Sequence, residues 1–182
     1  GPLAESILQR VCGLDLSALA RNQIASARVL DAEILVARTG YTGEDGFELY
    51  LPADRAVTLW QGLLAAGETD GVLPIGLAAR DSLRFEPCFA LYGHEIDPSI
   101  TPLQAGLSWA VAFKKGPFVG RDALIKERLE GVPRRLVGFE MIDRGVPRHG
   151  MPVLVGEEHA GWVTSGLYAP TLDRFLGLAY VS

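Results

Sequence analysis

The stretch from Gly40 to Tyr50 constrains the fold of this chain most, because it is an irregular segment between two apolar runs. It contains three glycines, three acids and two tyrosines. The preceding run, 34–39, predicts a buried strand, and the following run, 47–51, alternates with a period of two. Asp45-Gly46 between them is a hairpin-type turn signal, since both central residues of a tight primed turn need a positive φ. The sequence therefore predicts a hairpin here.

The strand after this turn has two different faces. Side chains alternate across a strand, so Phe47, Leu49 and Leu51 share one face while Glu48 and Tyr50 share the other. Water is the ordinary environment for Glu48, because acids are seldom buried unless they are paired. The alternative is a cavity, in which a carboxylate accepts two parallel hydrogen bonds from a ligand with a donor-donor edge, such as a pterin. The spacing alone leaves both environments open.

The glycine spacing of this stretch does not predict a phosphate site. A P-loop needs Gly-x-x-x-x-Gly-Lys-Ser/Thr and a dinucleotide fingerprint needs Gly-x-Gly-x-x-Gly, and the stretch has neither pattern. Glu44 and Asp45 would also repel an anion.

The elements around this stretch predict an α+β layer. Residues 24–30 and 33–39 are predicted strands, and with 47–51 they form an antiparallel meander. Residues 53–67 have apolar side chains at helical spacing and end in a glycine, which predicts a helix with Trp60 in the core. Strands followed by a helix in this order are typical of an α+β layer.

A second helix is predicted over 76–86, between two prolines. It carries Arg80 and Arg84 four positions apart, where like charges repel on an isolated helix. Nearby anions would relieve this repulsion, and either a ligand or an acid of the protein itself could supply them. The acids of the protein that could do so include Asp81 and Glu86.

The segment 87–102 is long and irregular, and loops of this length inside a domain are usually functional. His94 and Glu95 lie within it, but adjacent side chains point in different directions. Hydrogen bonds that pin the loop are therefore favoured over proton transfer. Further along, 107–113 predicts a strand carrying Trp109, for which core packing is the ordinary interpretation.

The pattern changes after Gly131-Val132-Pro133. From Arg134 onwards, short predicted strands alternate with turn signals, which is typical of a small β-barrel or sandwich. The sequence therefore predicts one domain over 1–130 and a second over 134–182. The strands predicted in the second domain are 136–141, 152–155, 160–164 and 175–181.

Composition excludes several classes of function. A chain of 182 residues that is 48% hydrophobic can bury a real core. Its net charge of -5 argues against a nucleic-acid surface, and it has no apolar run of membrane-spanning length. Cys12 and Cys88 are far apart and are predicted to be small buried residues in a reducing compartment. No histidine has metal-ligand spacing, so no metal is expected.

The run from Gly40 to Tyr50 resembles the signature of the glycine cleavage system T-protein family, the tetrahydrofolate-dependent aminomethyltransferases. Further segments agree in the same order, so the resemblance covers essentially the whole chain and rests on several motifs together. These segments are Gly76-Leu77-Ala78-Ala79-Arg80-Asp81-Ser82-Leu83-Arg84, Leu91-Tyr92-Gly93-His94-Glu95-Ile96-Asp97, Thr101-Pro102-Leu103-Gln104-Ala105-Gly106-Leu107-Ser108-Trp109-Ala110-Val111, and Asp143-Arg144-Gly145 through Pro170-Thr171-Leu172.

The resemblance implies a folate-binding core of antiparallel sheet and helices, followed by a small C-terminal β-barrel that is incomplete at Ser182. It implies that the full protein takes an aminomethyl group from lipoylated H-protein and passes the one-carbon unit to tetrahydrofolate. Ammonia and 5,10-methylenetetrahydrofolate are then the products. At the matching positions it implies four cofactor-binding residues: Tyr41 against the ring, Glu48 at the pterin donor edge, Arg80 in charge contact, and Trp109 on the cavity wall.

The resemblance also implies that the chain is a fragment. The catalytic aspartate of the family would lie before Gly1, and a further folate-contacting arginine would lie after Ser182. No catalytic residue is therefore expected within the chain, and the 182 residues alone are expected to be inactive. The expected location is the cytoplasm, or the mitochondrial matrix for a eukaryotic source.

Two alternatives stay open on the sequence. One is the folate-binding domain of a dimethylglycine or sarcosine dehydrogenase, which would carry a flavin domain upstream. The other is a non-catalytic folate-binding scaffold module that keeps the fold without the transfer activity.

Overall fold

A computed structural model describes residues 1–182, and the chain forms two compact units. Unit 1 spans Gly1–Pro87 and unit 2 spans Cys88–Ser182. Both contain helices and antiparallel sheet, which confirms the predicted α+β class. No helix has both the length and the apolar character needed to cross a membrane.

Unit 1 contains the predicted meander of three antiparallel strands. They are β1 (Ile24–Val29), β2 (Ala32–Ala37) and β3 (Glu48–Tyr50), in that order across the sheet. Three helices accompany them: α1 (Ala4–Gln9), α2 (Ala56–Ala66) and α3 (Leu77–Phe85). The register pairs Val36 with Leu49 and Ala37 with Glu48, so Leu49 lies on the core face of the sheet and Glu48 on the other.

The core of unit 1 joins residues from α1, α2, β1 and β2. Leu8 and Leu59 come from the helices, and Val29 and Val36 from the strands. Leu16, in a short 3-10 turn capped by the Asp15 carboxylate, is 0% exposed at the centre of this cluster. Burying a side chain of this size stabilises the fold by about 1.5–3 kcal/mol.

The predicted core position of Trp60 is wrong. Its side chain on α2 is 53% exposed, whereas Leu59 is buried. Successive helical residues are separated by about 100° around the axis, so the residue after a buried leucine turns away from the core. The prediction that both cysteines are buried is also wrong, because Cys12 is buried but Cys88 is exposed.

The predicted tight turn at Asp45-Gly46 is wrong as well. Strands β2 and β3 do pair, but a long loop over 38–47 joins them. Gly43 is the residue of this loop in the left-handed region, with φ of 78°, while Asp45 and Gly46 are not. The loop therefore has room for side chains that a two-residue turn would not hold.

Unit 2 contains α4 (Arg121–Glu130) and an open four-stranded antiparallel sheet. Its strands are β4 (Arg135–Glu140), β5 (Pro152–Val155), β6 (Glu158–Ala169) and β7 (Arg174–Val181), in the spatial order β4-β7-β6-β5. The sheet does not close, which agrees with the expectation of a partial barrel.

The predicted strand over 107–113 is wrong. Ser108–Ala110 form a 3-10 turn instead. Gly106 has a positive φ of 73°, and the amide of Leu107 donates to the Pro102 carbonyl at 2.8 Å. This backbone turn redirects the chain just before the apolar run, so an extended strand does not form.

The irregular segment that begins unit 2 is pinned by hydrogen bonds, as predicted for His94 and Glu95. The Tyr180 hydroxyl donates to the Glu95 carbonyl at 2.7 Å, and His94 Nδ1 lies 3.0 Å from the Thr164 carbonyl. A carbonyl only accepts, so His94 Nδ1 carries the proton. Burial is the main reason why the pKa of the Tyr180 hydroxyl is raised to about 12. The hydroxyl therefore stays protonated and can donate this hydrogen bond.

Candidate functional site

Arg38 fixes the loop between β2 and β3 to the rest of unit 1. Its guanidinium donates to both oxygens of Asp45, at 3.0 and 2.6 Å, and also to the Glu5 carboxylate. The same group donates to the carbonyls of Leu16 and Leu19, at 3.0 and 3.1 Å. The side chain is only 17% exposed. One arginine thus ties the loop to α1 and to the turn that contains Leu16.

The Asp45 carboxyl has a lowered pKa, chiefly because Arg38 donates hydrogen bonds to its charged form. Its contribution to stability is therefore present above the ordinary carboxyl pKa of about 4 and is lost as the pH falls through the lower folded value. We expect Asp45→Asn to lower the thermal midpoint at pH 7. The difference from the parent should be smaller at pH 3, because the stability that the pair contributes decreases once the pH falls below the ordinary carboxyl pKa of about 4 towards the lower folded value.

Thermal unfolding at both pH values measures this effect, and Glu44→Gln is the matched control from the same exposed loop. If Asp45→Asn lowered the thermal midpoint equally at the two pH values, this result would contradict the assignment of the pH dependence to the pair of Asp45 and Arg38.

Glu48 lies on the face of β3 that points away from the core. Its carboxylate accepts a hydrogen bond from the Thr39 hydroxyl. Thr39 lies two residues after Ala37, which is the cross-strand partner of Glu48. The Glu48 side chain is exposed in this chain. A carboxylate has about four lone-pair sites, and the single hydroxyl leaves room for further donors.

Tyr41 and Arg80 are brought together by the loop and helix α3. The Arg80 guanidinium carbon lies 4.5 Å from the centre of the Tyr41 ring, which is cation–π geometry. The two residues are far apart in the sequence, and no pattern predicted this contact. The pair therefore presents a flat aromatic ring and a positive charge side by side. Tyr41 lies in the 38–47 loop, which leads to Glu48 at the start of β3.

The two arginines of α3 have separate environments. Arg84 is 1% exposed, and its Nε donates to Asp81 at 2.7 Å. An acid of the protein itself therefore compensates the charge of Arg84, which is one of the two interpretations that the sequence left open. Arg80 is exposed and contacts a ring instead. This division leaves Arg80 as the arginine of α3 that a ligand can reach.

The backbone of the loop passes close to the end of α3. A Cβ on Gly43 would lie 3.1 Å from Cβ of Pro87, and the positive φ of Gly43 already disfavours a side chain there. A glycine is therefore strongly favoured at this position. Thr39 and Gly43 are the residues that sequence reasoning missed, because their contacts depend on the register and on the course of the loop.

Trp109 lies in unit 2, where its side chain is 81% exposed. Core packing, the ordinary interpretation of a tryptophan, is therefore wrong for this residue. It lines a groove of about 810 Å³ within unit 2, together with Phe113 and several cationic side chains.

One apolar cavity of unit 1 lies away from the predicted site. It measures about 390 Å³ and is lined on the core side of the sheet by Phe47 and Leu49, together with residues near the beginning of the chain. Tyr41, Glu48 and Arg80 are not among its lining residues. No group of three or more histidine, cysteine or acidic side chains is arranged to hold a metal ion.

Comparisons with known proteins agree with the motif order. The family model of the GCVT N-terminal domain matches residues 1–115, and that of the glycine cleavage T-protein C-terminal barrel domain matches residues 134–182. The aminomethyltransferase of Desulforamulus reducens is 51% identical over 181 residues, which is 100% of this chain and 50% of that protein. The aminomethyltransferase of Geobacillus kaustophilus is 54% identical over 183 residues, with the same two shares.

A solved structure is also similar. The crystal structure of glycine cleavage system aminomethyltransferase T from Bartonella henselae matches with a TM-score of 0.88 and 36% identity, over 97% of this chain and 48% of that one. The chain spans about half the length of the curated relatives it matches.

Proposed function

The chain belongs to the glycine cleavage T-protein family, and from this premise we propose that it forms the folate-binding part of an aminomethyltransferase. The proposed overall reaction takes the aminomethyl group from lipoylated H-protein, passes its one-carbon unit to tetrahydrofolate and releases its amine as ammonia. Relatives named aminomethyltransferase that match the whole chain support the reaction class. Bacterial relatives support a bacterial cytoplasm as the location.

The observation that carries this proposal is the contact between Arg80 and Tyr41, which lies in the loop that leads to Glu48. Tyr41 offers a ring, Arg80 a positive charge, and Glu48 an acceptor with lone pairs still available. A flat heterocycle with donors on one edge and carboxylates at its tail requires these groups. The residues present therefore fit a reduced folate.

Each residue has a proposed role. Glu48 accepts two hydrogen bonds from the amino group and ring N–H of the pterin, while Thr39 holds the carboxylate in place. Tyr41 packs against the ring, and Arg80 supplies charge. Tetrahydrofolate, when bound, supplies the nitrogen that accepts the one-carbon unit. The chain's own contribution is positioning, which accounts for a large part of the rate in reactions of two bound groups.

The test uses binding, because we propose that the 182 residues alone do not complete the transfer. This part of the proposal is supported by relatives about twice as long as the chain. We expect Glu48→Ala to weaken the binding of 5-methyltetrahydrofolate by about 1.5–3 kcal/mol, since a hydrogen bond to a charged group is lost. Isothermal titration calorimetry measures the change.

Glu33→Ala is the matched control, because Glu33 is an exposed acid on β2 and points to the same face of the sheet. A dissociation constant that is unchanged by Glu48→Ala would place Glu48 in solvent and remove the main support for the proposed role. Release of ammonia from aminomethylated H-protein by this chain alone would overturn the proposal that it is inactive.

A further inference from the structure

Two histidines, His94 and His149, lie side by side in unit 2. The centres of their rings are 4.6 Å apart, and the ring planes are tilted by 47°. His94 belongs to the irregular segment that begins unit 2, and His149 belongs to the loop between β4 and β5. Both side chains are exposed. Because the two residues are far apart in the sequence, a search for metal-ligand spacing does not find them.

A β-bulge at Thr164 provides the acceptor that both histidines share. The register of β6 against β7 shifts between Val163 and Ser165, so Thr164 is an extra residue between them. The Thr164 carbonyl oxygen lies 3.0 Å from His94 Nδ1 and 2.8 Å from His149 Nδ1. A carbonyl oxygen has two lone pairs, so it can accept a hydrogen bond from each ring.

These contacts fix the tautomer of both rings. A carbonyl only accepts, so Nδ1 of each ring carries the proton, and in the neutral imidazole Nε2 then has a lone pair. Ser165 Oγ, the other polar neighbour of the His94 ring, also lies near Nδ1, at 3.4 Å. Metal-binding histidines are typically oriented in this way, with one ring N–H donated to a backbone carbonyl. A structural role uses Nδ1 alone and leaves both Nε2 atoms available.

The separation of the two rings fits a single metal ion. A zinc–nitrogen bond of about 2.0–2.1 Å places the centre of a ligating imidazole about 3.2 Å from the ion. Two such rings on one ion have centres about 4.5–5.2 Å apart, for bond angles at zinc between about 90° and 109°. The observed separation of 4.6 Å lies within this range.

The backbone on both sides of the pair is fixed. Next to His149, the Gly150 amide donates to the Val163 carbonyl of β6 at 2.8 Å. Gly93, with a positive φ of 89°, turns the chain just before His94. The two histidines are therefore presented by preformed turns, and rotation of exposed rings is the only adjustment that shared binding of an ion requires.

We propose that His94 and His149 bind one divalent transition-metal ion of the zinc type through their Nε2 atoms. Imidazole nitrogen suits Zn²⁺, Cu²⁺ and Ni²⁺, whereas Mg²⁺ and Ca²⁺ prefer oxygen ligands. Water molecules complete the coordination, since the protein supplies two ligands. The ion links the segment that begins unit 2 to the loop between β4 and β5. The site goes beyond the proposed function, because it uses none of the residues assigned to folate.

The probe is Zn²⁺, titrated by calorimetry in a buffer that does not bind metals, and Mg²⁺ is the control ion. We expect one Zn²⁺ to bind per chain and to raise the thermal midpoint of unfolding, while Mg²⁺ does neither. We expect His94→Gln and His149→Gln each to weaken Zn²⁺ binding at least tenfold, since even the loss of a ligand's hydrogen-bond partner costs about 10–100-fold. Both side chains are exposed, so circular dichroism should show the parent fold.

His159→Gln is the matched control, because His159 is an exposed histidine of β6 that does not belong to the pair. Cys88→Ser is the second control, because Cys88 is an exposed thiol and thiolates also bind zinc. Both variants should keep the affinity of the parent chain. An unchanged affinity in His94→Gln or His149→Gln, or a loss of binding in either control, would overturn the proposed site.

Proton nuclear magnetic resonance of the parent chain gives a second measurement that needs no variant. Zn²⁺ should shift the imidazole signals of two histidines and leave those of His159 in place. A shift of all three sets of signals, or of none, would also overturn the proposal. Neither result bears on folate binding at Glu48, which the titration with 5-methyltetrahydrofolate measures separately.

Discussion

Gly161→Ala is expected to destabilise unit 2 by about 3 kcal/mol or more, because the new methyl group has no space. An ideal Cβ on Gly161 would lie 1.8 Å from the carbonyl oxygen of Tyr180 and 2.8 Å from its carbonyl carbon. Both atoms belong to the backbone of β7, the strand next to β6. The methyl group can be accommodated only by moving the two strands apart, which breaks hydrogen bonds at the centre of the sheet.

Urea unfolding followed by tryptophan fluorescence measures this effect, since the Trp162 ring lies 5.4 Å from the Tyr180 ring and reports on the same strand pair. Gly145→Ala is the control, because a Cβ there meets no heavy atom within 4 Å and the residue does not have a positive φ. It should change the free energy of unfolding by less than about 0.5 kcal/mol. Equal midpoints for the two variants would contradict the close approach of β6 and β7.

Leu16→Ala is expected to lower the stability of unit 1 by about 2–5 kcal/mol. The Leu16 side chain is 0% exposed in the cluster formed by α1, α2 and the sheet, so its removal leaves a cavity that rigid neighbours cannot fill. The Leu16 carbonyl also accepts a hydrogen bond from Arg38. Hydrogen exchange should therefore show faster opening of the 38–47 loop as well as a lower unfolding midpoint.

Leu73→Ala is the control for this change, because Leu73 is an exposed leucine of the same unit. It removes the same atoms without creating a cavity, and its effect should stay within about 0.5 kcal/mol. A Leu16→Ala variant as stable as Leu73→Ala would show that the cluster collapses around the missing side chain or that Leu16 is not at its centre.

The strands and long helices could be predicted because their burial is periodic. Alternation at Phe47, Leu49 and Leu51 set the face of β3, and the helical spacing in 53–67 set α2. The same patterns failed for Trp60 and Trp109, since composition favours burial of tryptophan but the register of a helix or a turn decides its direction. The turn at Asp45-Gly46 failed because the sequence signal describes two residues, whereas the loop is fixed by Arg38.

The candidate site could be predicted only in part. Resemblance named Tyr41, Glu48, Arg80 and Trp109, but the contact between Tyr41 and Arg80 depends on where the loop and α3 meet in space. Charge pattern alone left the two arginines of α3 equivalent. The structure separates them, because Asp81 lies one turn before Arg84 and satisfies it. The contact of Thr39 with Glu48 required the strand register, which the sequence did not provide.

The hydrogen bonds by which Arg38 anchors the 38–47 loop limit how the stretch from Gly40 to Tyr50 can be transferred to another protein. Five hydrogen bonds from one guanidinium reach an acid within the loop, an acid of α1 and two backbone carbonyls near Leu16. A designer who grafts residues 40–50 alone onto a foreign scaffold would leave most of these acceptors behind. The segment would then lose its shape, so a graft that keeps these hydrogen bonds has to include residues 5–50.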